Sequence, residues 1–483
     1  MSEPQTTAND REQSAADADG DTGPTLAPTG TPPPGPRGLP LVDSTLAFVR
    51  DPLEFFSSMP EYGDVARYEA FGREFVVVSD PGLVEEVVVA RDDEFWRGGF
   101  EHEFGELLDV EGLFFAEGER WRRQRLLLQN AFTPARIRSY ADDMVVEAVR
   151  LVESWSDGEV VDVREAMSTL TLRALTRSLF DLEFGDGRAD RVRRWVHAMG
   201  AYSDSEFFGA RAVLPTWIPS RAEREYRRAT ADVEALVEEL VTERRGSEAD
   251  GDDLLSLLAI GEYPDGSSPP AEEITDQLQL FLLAGHETTA TALTYACWLL
   301  AGTEDVWSGL EWEVDAVCGE RDPTFADLPD LAVTEAVGRE AMRLYPPLPF
   351  LQREPHEETV LAGYRIGSGT TVQLNMYGIH RDERWWADPD VFRPDRWVAN
   401  DEDADGDERT VLADPDDRPE YAYFPFGGGS RHCIGMRFAM TELQLSLATM
   451  VRRVDLERVT ESIDPTPKIS LDSGPVEMRV RKR

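Results

Sequence analysis

Apolar positions recur along this chain with two different periods. Ala66–Glu69 alternates apolar and polar residues and Phe75–Val78 is a continuous apolar run, so Val65–Glu69 and Glu74–Ser79 read as a strand pair joined around Gly72. Pro81–Val89 opens a helix. From about residue 120 onward the 3.6-residue helical period dominates, in Trp121–Asn130, Tyr140–Trp155, Val163–Phe180 and Ala222–Arg245. Ala271–Ala301 reads as one uninterrupted helix, roughly 45 Å long at about 1.5 Å per residue. A last helix is predicted from Gly435 through Gln444.

The organisation that follows is a mainly α chain with a small β region. Residues 1 to about 38 are rich in Asp, Thr, Ala, Gly and Pro and lack this periodicity. They read as a disordered acidic tail ending in the stiff run Pro32-Pro-Pro-Gly-Pro-Arg-Gly-Leu-Pro40. Residues 39–483 read as one domain. A second acidic stretch, Asn400–Arg409, reads as a solvated surface loop.

Charge narrows the picture. The 483 residues carry 93 acidic against 49 basic side chains, a formal charge of −44. Only Lys468 and Lys482 are lysines, so nearly all the positive charge is arginine. Such acidity excludes a nucleic-acid footprint. It suits a surface kept soluble where salt screens its self-repulsion, as in the cytosol of a halophile. Three cysteines, Cys297, Cys318 and Cys433, fit a reducing compartment rather than a disulfide scaffold. No apolar run approaches the ~20 residues of a membrane span, and the first residues lack an apolar signal core. A cytoplasmic monomer is the expectation.

The chemistry concentrates in a few short segments. Phe426-Gly-Gly-Gly-Ser-Arg-His-Cys-Ile-Gly435 places one thiol among glycines, two residues after Arg431 and just before a predicted helix. A helix N-terminus and a nearby cation favour the thiolate, which is the soft metal ligand. Gly427, Gly428, Gly429 and Gly435 would let backbone approach a flat ring. The alternative is a buried structural cysteine in a turn.

In the long helix, Ala284-Gly-His-Glu-Thr-Thr289 puts a glycine, which costs about 1 kcal/mol relative to Ala in a helix interior, beside an acid and an alcohol. Glu287 and Thr288 form a plausible proton relay, with Thr288 free to bond or spare the carbonyl of residue 284. A kinked core helix with a satisfied polar pair would look the same. Glu340-Ala-Met-Arg343 places opposite charges on one helix face before Leu344-Tyr-Pro-Pro347 ends it. Arg396 in Phe392-Arg-Pro-Asp-Arg-Trp397 could join that pair in a buried structural network. Trp121 and Arg125 lie one turn apart and could face an acidic flat ligand, with Arg353 and Arg431 as further partners for its carboxylates.

These five motifs, in identity, order and spacing, resemble those of the cytochrome P450 family, across roughly residues 35 to 483. The resemblance implies the cytochrome P450 fold and haem b as cofactor. It implies an axial Cys433 thiolate, with Phe426, Gly429 and Gly435 in the ligand loop. It implies Trp121, Arg125, Arg353 and Arg431 near the propionates, Ala284 and Gly285 on the distal side, and a supporting network of Glu340, Arg343 and Arg396. The implied activity is monooxygenation by O2, with Glu287 and Thr288 guiding protons. Electrons would come from a separate ferredoxin-type donor with its reductase, because no flavin or nicotinamide module fits in this length. Arg122, Arg123 and Arg437 are candidates for the docking face.

Apolar segments suggest where a lipid, fatty-acid or isoprenoid substrate would sit. They are Gly112–Phe115 with Leu113, Phe114 and Phe115, the distal helix with Phe281, and Leu348–Leu351 with Phe350. Phe207–Pro219 resembles the family's mobile lid. The rival readings are a peroxide-driven peroxygenase or decarboxylase on the same fold, and a non-catalytic haem sensor.

Overall fold

The computed structural model describes residues 30–38, 43–182, 187–206, 220–246, 253–401, 409–413 and 418–483. Among them ten helices run ten residues or longer. They are α1 Gly99–Leu108, α2 Gly118–Leu128, α3 Pro134–Ser154, α4 Val163–Phe180, α5 Gly187–Glu206, α6 Arg221–Gly246, α7 Ala271–Leu300, α8 Glu304–Cys318, α9 Ala332–Leu344 and α10 Met436–Val451. The periodicity placed α4 at its observed bounds and α7 within one residue. Local chemistry sets several of these ends. Pro134 occupies the first turn of α3, where a missing N–H costs nothing. The Asp162 side chain caps α4 by accepting from Arg164 N–H.

The predicted strand pair is β1 Val65–Ala70 and β2 Arg73–Val78, antiparallel, with Val65 opposite Val78. Phe71 and Gly72 both take positive φ at its tip (54° and 73°), the twist a two-residue hairpin requires. Three strands the alternation did not reveal complete this sheet: β3 Phe95–Trp96, β4 Leu351–Pro355 and β5 Thr371–Leu374. The order is β1-β2-β5-β4-β3, with β2 and β5 parallel. A smaller sheet joins Val454–Arg458, Glu477–Lys482 and Val160–Asp162. The expected helix at Pro81–Val89 is regular only to Glu85 and continues as a wider π turn, Glu86–Ala90.

Helix α7 is the spine. Its Leu278 and Phe281 belong to one apolar cluster with α3, α4 and α6, and its Leu293 and Ala296 to a second with α9 and α10. With both faces covered, most of the helix is buried, and its C-terminal half from Ala290 is largely apolar.

Most of the expected tail (residues 1–29), the Phe207–Pro219 segment and residues 402–408 of the acidic stretch lie outside the described residues. The ends of that stretch are not loop: Val398–Asp401 pairs with Arg409–Leu412 as a two-stranded ribbon. No helix among the described residues is long and apolar enough to cross a membrane.

Candidate active site

A cavity lies between α7 and the segment carrying Cys433. Its lining includes Cys433, Phe426, Ile434 and Gly435 on one side and Phe281, Ala284, Gly285, Thr288 and Ala292 of α7 on the other. It encloses about 1500 Å³ of space between protein atoms, part of it continuous with solvent.

Cys433 precedes α10 by three residues, and its side chain is exposed. Its backbone N–H donates to the Phe426 carbonyl (2.9 Å), which folds the glycine-rich loop back on itself. Desolvation by the surrounding protein pushes the thiol up, while a hydrogen bond from the Gly435 N–H and the charges of Arg125 and Arg97 pull against it. The cation expected to act on the thiol, Arg431, is engaged elsewhere. It donates to the Ala116 carbonyl (3.0 Å), pairs with Glu117 and lies over the Trp121 ring at 4.7 Å.

Gly427 and Gly435 border the cavity as expected, whereas Gly428 and Gly429 do different work. A side chain at Gly429 would fall 1.7 Å from the Val88 carbonyl oxygen, and its φ is +63°. Gly429 therefore seats the loop on the π turn and does not line the cavity. Gly428 makes room for Tyr421. Gly435 is the open one: only Phe132 (3.9 Å) and the Cys433 sulfur (4.0 Å) come near a Cβ there. At Gly285 the close neighbour is Leu175 of α4, 2.9 Å from a Cβ, so this glycine permits helix–helix packing even though its backbone borders the cavity.

Four arginines line the cavity: the expected Arg125, Arg353 and Arg431, and Arg97, which the sequence reading missed. They lie close enough to perturb one another. Burial first, then the charge of Arg97, holds Arg353 down to about 10. Burial likewise lowers Arg125 and Arg431, again with Arg97 contributing. Arg125 donates to the His432 carbonyl at 3.0 Å. Among the described residues, the carboxylates acting on this group are Glu101, 3.8 Å from Arg97, Glu117 on Arg431 and, as a smaller influence on Arg431, Asp92. Burial raises the Glu101 carboxyl, which weakens its compensation further. A buried cationic cluster short of counter-charge fits a ligand that brings its own carboxylates. Trp121 lines the same cavity.

The acid–alcohol pair is split by the helix. Thr288 faces the cavity and donates to the Ala284 carbonyl (2.8 Å), so in this structure it bonds that carbonyl rather than sparing it. Glu287 does not line the cavity. It pairs with Arg164 at 3.3 Å, accepts from Ser470 Oγ at 3.3 Å and lies 3.6 Å from His286 Nε2. Arg164 is also held by Asp472 at 2.6 Å.

Glu340, Arg343 and Arg396 do come together. Glu340 and Arg343 are wholly buried, paired at 2.8 Å, and Arg396 Nε donates to the same carboxylate at 3.0 Å. Trp397 Nε1 and the Arg393 N–H complete its shell. Arg343 also donates to the carbonyls of His380, Pro389 and Val391. His380 Nε2 then accepts from the Phe424 N–H (3.1 Å) at the entrance to the Cys433 loop.

Of the apolar candidates, Leu113, Phe114 and Phe281 line the cavity. Phe115 does not; it turns toward Gly105 of α1 and packs edge-on to Phe114. Phe350 does not either; it stacks at a tilt on Phe56, 4.8 Å away, in the cluster beside β1. Leu348–Phe350 is irregular backbone ahead of β4, so no strand alternation governs it: Leu348 and Leu351 reach the cavity, while Phe350 turns away to Phe56. Unforeseen lining comes from Phe132, Leu175, Leu179 and Met342, which the sequence gave no reason to prefer over ordinary core.

A helical fold closing a thiol-bearing, arginine-ringed cavity against a long central helix defines a haem-thiolate protein. The family model for cytochrome P450 matches residues 33–480, and the chain belongs to that family. It is 35% identical to cyclooctatin synthase of Streptomyces melanosporofaciens, covering 92% of this chain and 94% of that one. It is 33% identical to cyclooctat-9-en-7-ol 5-monooxygenase of the same organism, covering 89% and 90%. The crystal structure of the cytochrome P450DA heme domain superposes with a TM-score of 0.80 at 26% identity, over 94% of this chain and 98% of that one. The chain is therefore a cytochrome P450 monooxygenase, a haem enzyme acting on apolar substrates.

Proposed function

We propose that this protein inserts one oxygen atom of O2 into an isoprenoid-type apolar molecule, using haem b held by the Cys433 thiolate. The observation that carries the reading is the exposed Cys433 thiol in a cavity whose opposite wall is Thr288, with four arginines around it. The arginines Arg97, Arg125, Arg353 and Arg431 would hold the haem carboxylates. When bound, the haem would supply the oxidising power.

The protein's own residues bind, orient and deliver protons. Leu113, Phe281, Leu348 and Leu351 offer apolar wall, with Phe114 lying under the Arg97 guanidinium at 3.9 Å, so a hydrocarbon skeleton is desolvated there and oriented by shape. Thr288 Oγ is the proton-bearing group on that wall. Glu287 must leave Arg164 to exchange a proton with it. A relative supports the substrate class: cyclooctat-9-en-7-ol 5-monooxygenase is named for an unsaturated alcohol.

Electrons come, in this reading, from a ferredoxin-type protein and its reductase. Arg437 and Arg122 remain suitable docking residues, both exposed, with Arg122 4.0 Å from Glu119. Arg123 is withdrawn: it pairs with the buried Glu273 and lies over the Tyr263 ring. We also take the protein to be a cytoplasmic monomer that works in high salt. Its stability should then rise with KCl.

The deciding experiment is the absorption spectrum of the reduced, carbon monoxide-bound protein. A thiolate ligand shifts the Soret band far to the red, and Cys433→Ser should abolish that shift while leaving the fold. An unshifted parent spectrum would end the haem-thiolate reading. Turnover with hydrogen peroxide but never with O2 and reductant would favour the peroxygenase reading, which the retention of Glu287 by Arg164 makes worth testing.

A further inference from the structure

The segment Leu108–Ala116, which supplies Leu113 and Phe114 to the cavity, is pinned to α7 by backbone-directed polar contacts. The Leu113 N–H donates to Gln277 Oε1 at 3.0 Å, across 164 residues of sequence. An N–H can only donate, so this assignment of the amide oxygen is forced. One residue earlier in the helix, the Asp276 carboxyl accepts from the Glu111 N–H. Between these two contacts Gly112 lies so close that a Cβ there would meet Leu280 at 2.9 Å and the Asp276 carbonyl at 3.1 Å. The segment's ends are held as well: Tyr226 donates to the Leu108 carbonyl at 2.7 Å and Arg431 to the Ala116 carbonyl at 3.0 Å.

Gln277 is an expensive residue for packing alone. It is 1% exposed, and among the described residues its Nε2 has no partner. A leucine there would avoid that unpaired donor, whose burial costs stability. What the amide adds is an acceptor for Leu113. Gln277 also stands on the cavity-facing stripe of α7: Phe281, Ala284 and Thr288 follow at intervals of four, seven and eleven. One rigid helix thus carries both the contact that sets the height of Leu113 and Phe114 and the threonine opposite Cys433.

We propose that Gln277 is a positioning and specificity-determining residue. It fixes the Leu113–Phe114 wall in register with Thr288 and so sets how bulky an apolar molecule can stand between them. This rests on the reading of the cavity as the substrate site beside haem.

The test uses the full-length holoprotein and Gln277→Leu, which keeps the volume and removes the acceptor. Gln277→Glu, which keeps an acceptor oxygen, is the rescue. Hydrogen–deuterium exchange of peptides spanning residues 110–116 should accelerate about tenfold in Q277L, the factor expected from one ordinary hydrogen bond, and stay near the parent in Q277E. In parallel, imidazole and 4-phenylimidazole are titrated against the ferric protein by the Soret shift. The ratio of their dissociation constants should change severalfold in Q277L, with imidazole itself little affected. Should Q277L not fold, Gln277→Asn withdraws the acceptor by one methylene and carries the same expectation. Parent-like exchange together with a parent-like azole ratio in the loosened variant would overturn the proposal. If the parent binds neither azole, the haem reading fails, and the exchange measurement still decides whether Gln277 pins the segment.

Discussion

Glu340→Gln is the sharpest perturbation the structure offers outside the cavity. The Glu340 carboxylate receives five donors: Arg343 Nη2, Arg396 Nε and the Arg393 N–H on one oxygen, Arg343 Nε and Trp397 Nε1 on the other. Glutamine keeps the volume but has one acceptor oxygen. Whichever way the amide is turned, two or three donors then point at its NH2 group. The larger effect is charge. Arg343 is wholly buried, and Glu340 is the carboxylate paired with it. Removing one partner of a buried pair costs about 3–5 kcal/mol. Unfolding entropy near 2.1 cal/mol/K per residue gives roughly 0.9 kcal/mol/K for a domain of about 450 residues, so the melting temperature should fall by roughly 3–5 °C.

The assay is thermal unfolding followed by circular dichroism, run with Glu340→Leu, Arg343→Met and the double variant. Each single change strands a buried charge or its partners; the double change removes both members of the Glu340–Arg343 pair and leaves only Arg396, at the edge of the network, without its carboxylate. The two effects should therefore fall short of adding by about 2–3 kcal/mol. A second readout follows the path Arg343–His380–Phe424 into the Cys433 loop: Glu340→Gln should also lower the fraction of protein with the red-shifted carbon monoxide band. A melting temperature within about 1 °C of the parent, or strict additivity, would refute the view that Glu340 neutralises buried Arg343 and that this network supports the loop.

Gly429→Ala should cost about 3 kcal/mol or more, because a Cβ would collide with the Val88 backbone at a positive φ; a melting curve matching the parent would contradict this. Asp276 is pushed up to about 7 by burial, against an ordinary 3.8. Folding thus opposes its ionisation, and the parent loses stability as pH rises from about 4 to 7. Asp276→Asn should equal the parent near pH 4 and exceed it by about 1–2 kcal/mol at pH 8, after allowance for partial exposure; urea midpoints at both values check the sign. Thr288→Ala should leave the carbon monoxide spectrum intact but divert reducing equivalents to peroxide, measured as product formed per reductant consumed. Unchanged coupling would remove Thr288 from proton delivery.

What the sequence disclosed depended on how local the determining physics was. Helices α4 and α7 were legible because a capping aspartate, a proline and an apolar run each act within a turn or two. Strands β4 and β5 were not, because Leu351–Pro355 and Thr371–Leu374 are covered by neighbours distant in sequence and show little alternation. Arg97 was missed for a related reason. It follows a two-residue strand and carries no motif, and only the fold brings it beside Arg353 and Arg431. Phe115 and Phe350 were misassigned because an apolar run says that something is buried, not which of two sides each ring takes.

The split of Glu287 from Thr288 shows how far adjacency in a motif can mislead about adjacency in space. Successive residues on a helix point about 100° apart, so neighbours in the chain look in different directions. Thr288 looks into the cavity, and Glu287 looks to Arg164 and Ser470. Helix α7 therefore acts as a partition between an apolar chamber and a polar network that continues through Arg164 and Asp472 to Lys468. That separation keeps a charged carboxylate away from the substrate wall, where its desolvation would be costly. In the relay proposed above, proton transfer is then conditional on side-chain movement, since Glu287 must give up its ion pair before it can serve Thr288. The same helix holds the wall at Gln277 and the alcohol at Thr288 in fixed register, so the element that sets substrate shape also sets when protons can reach it.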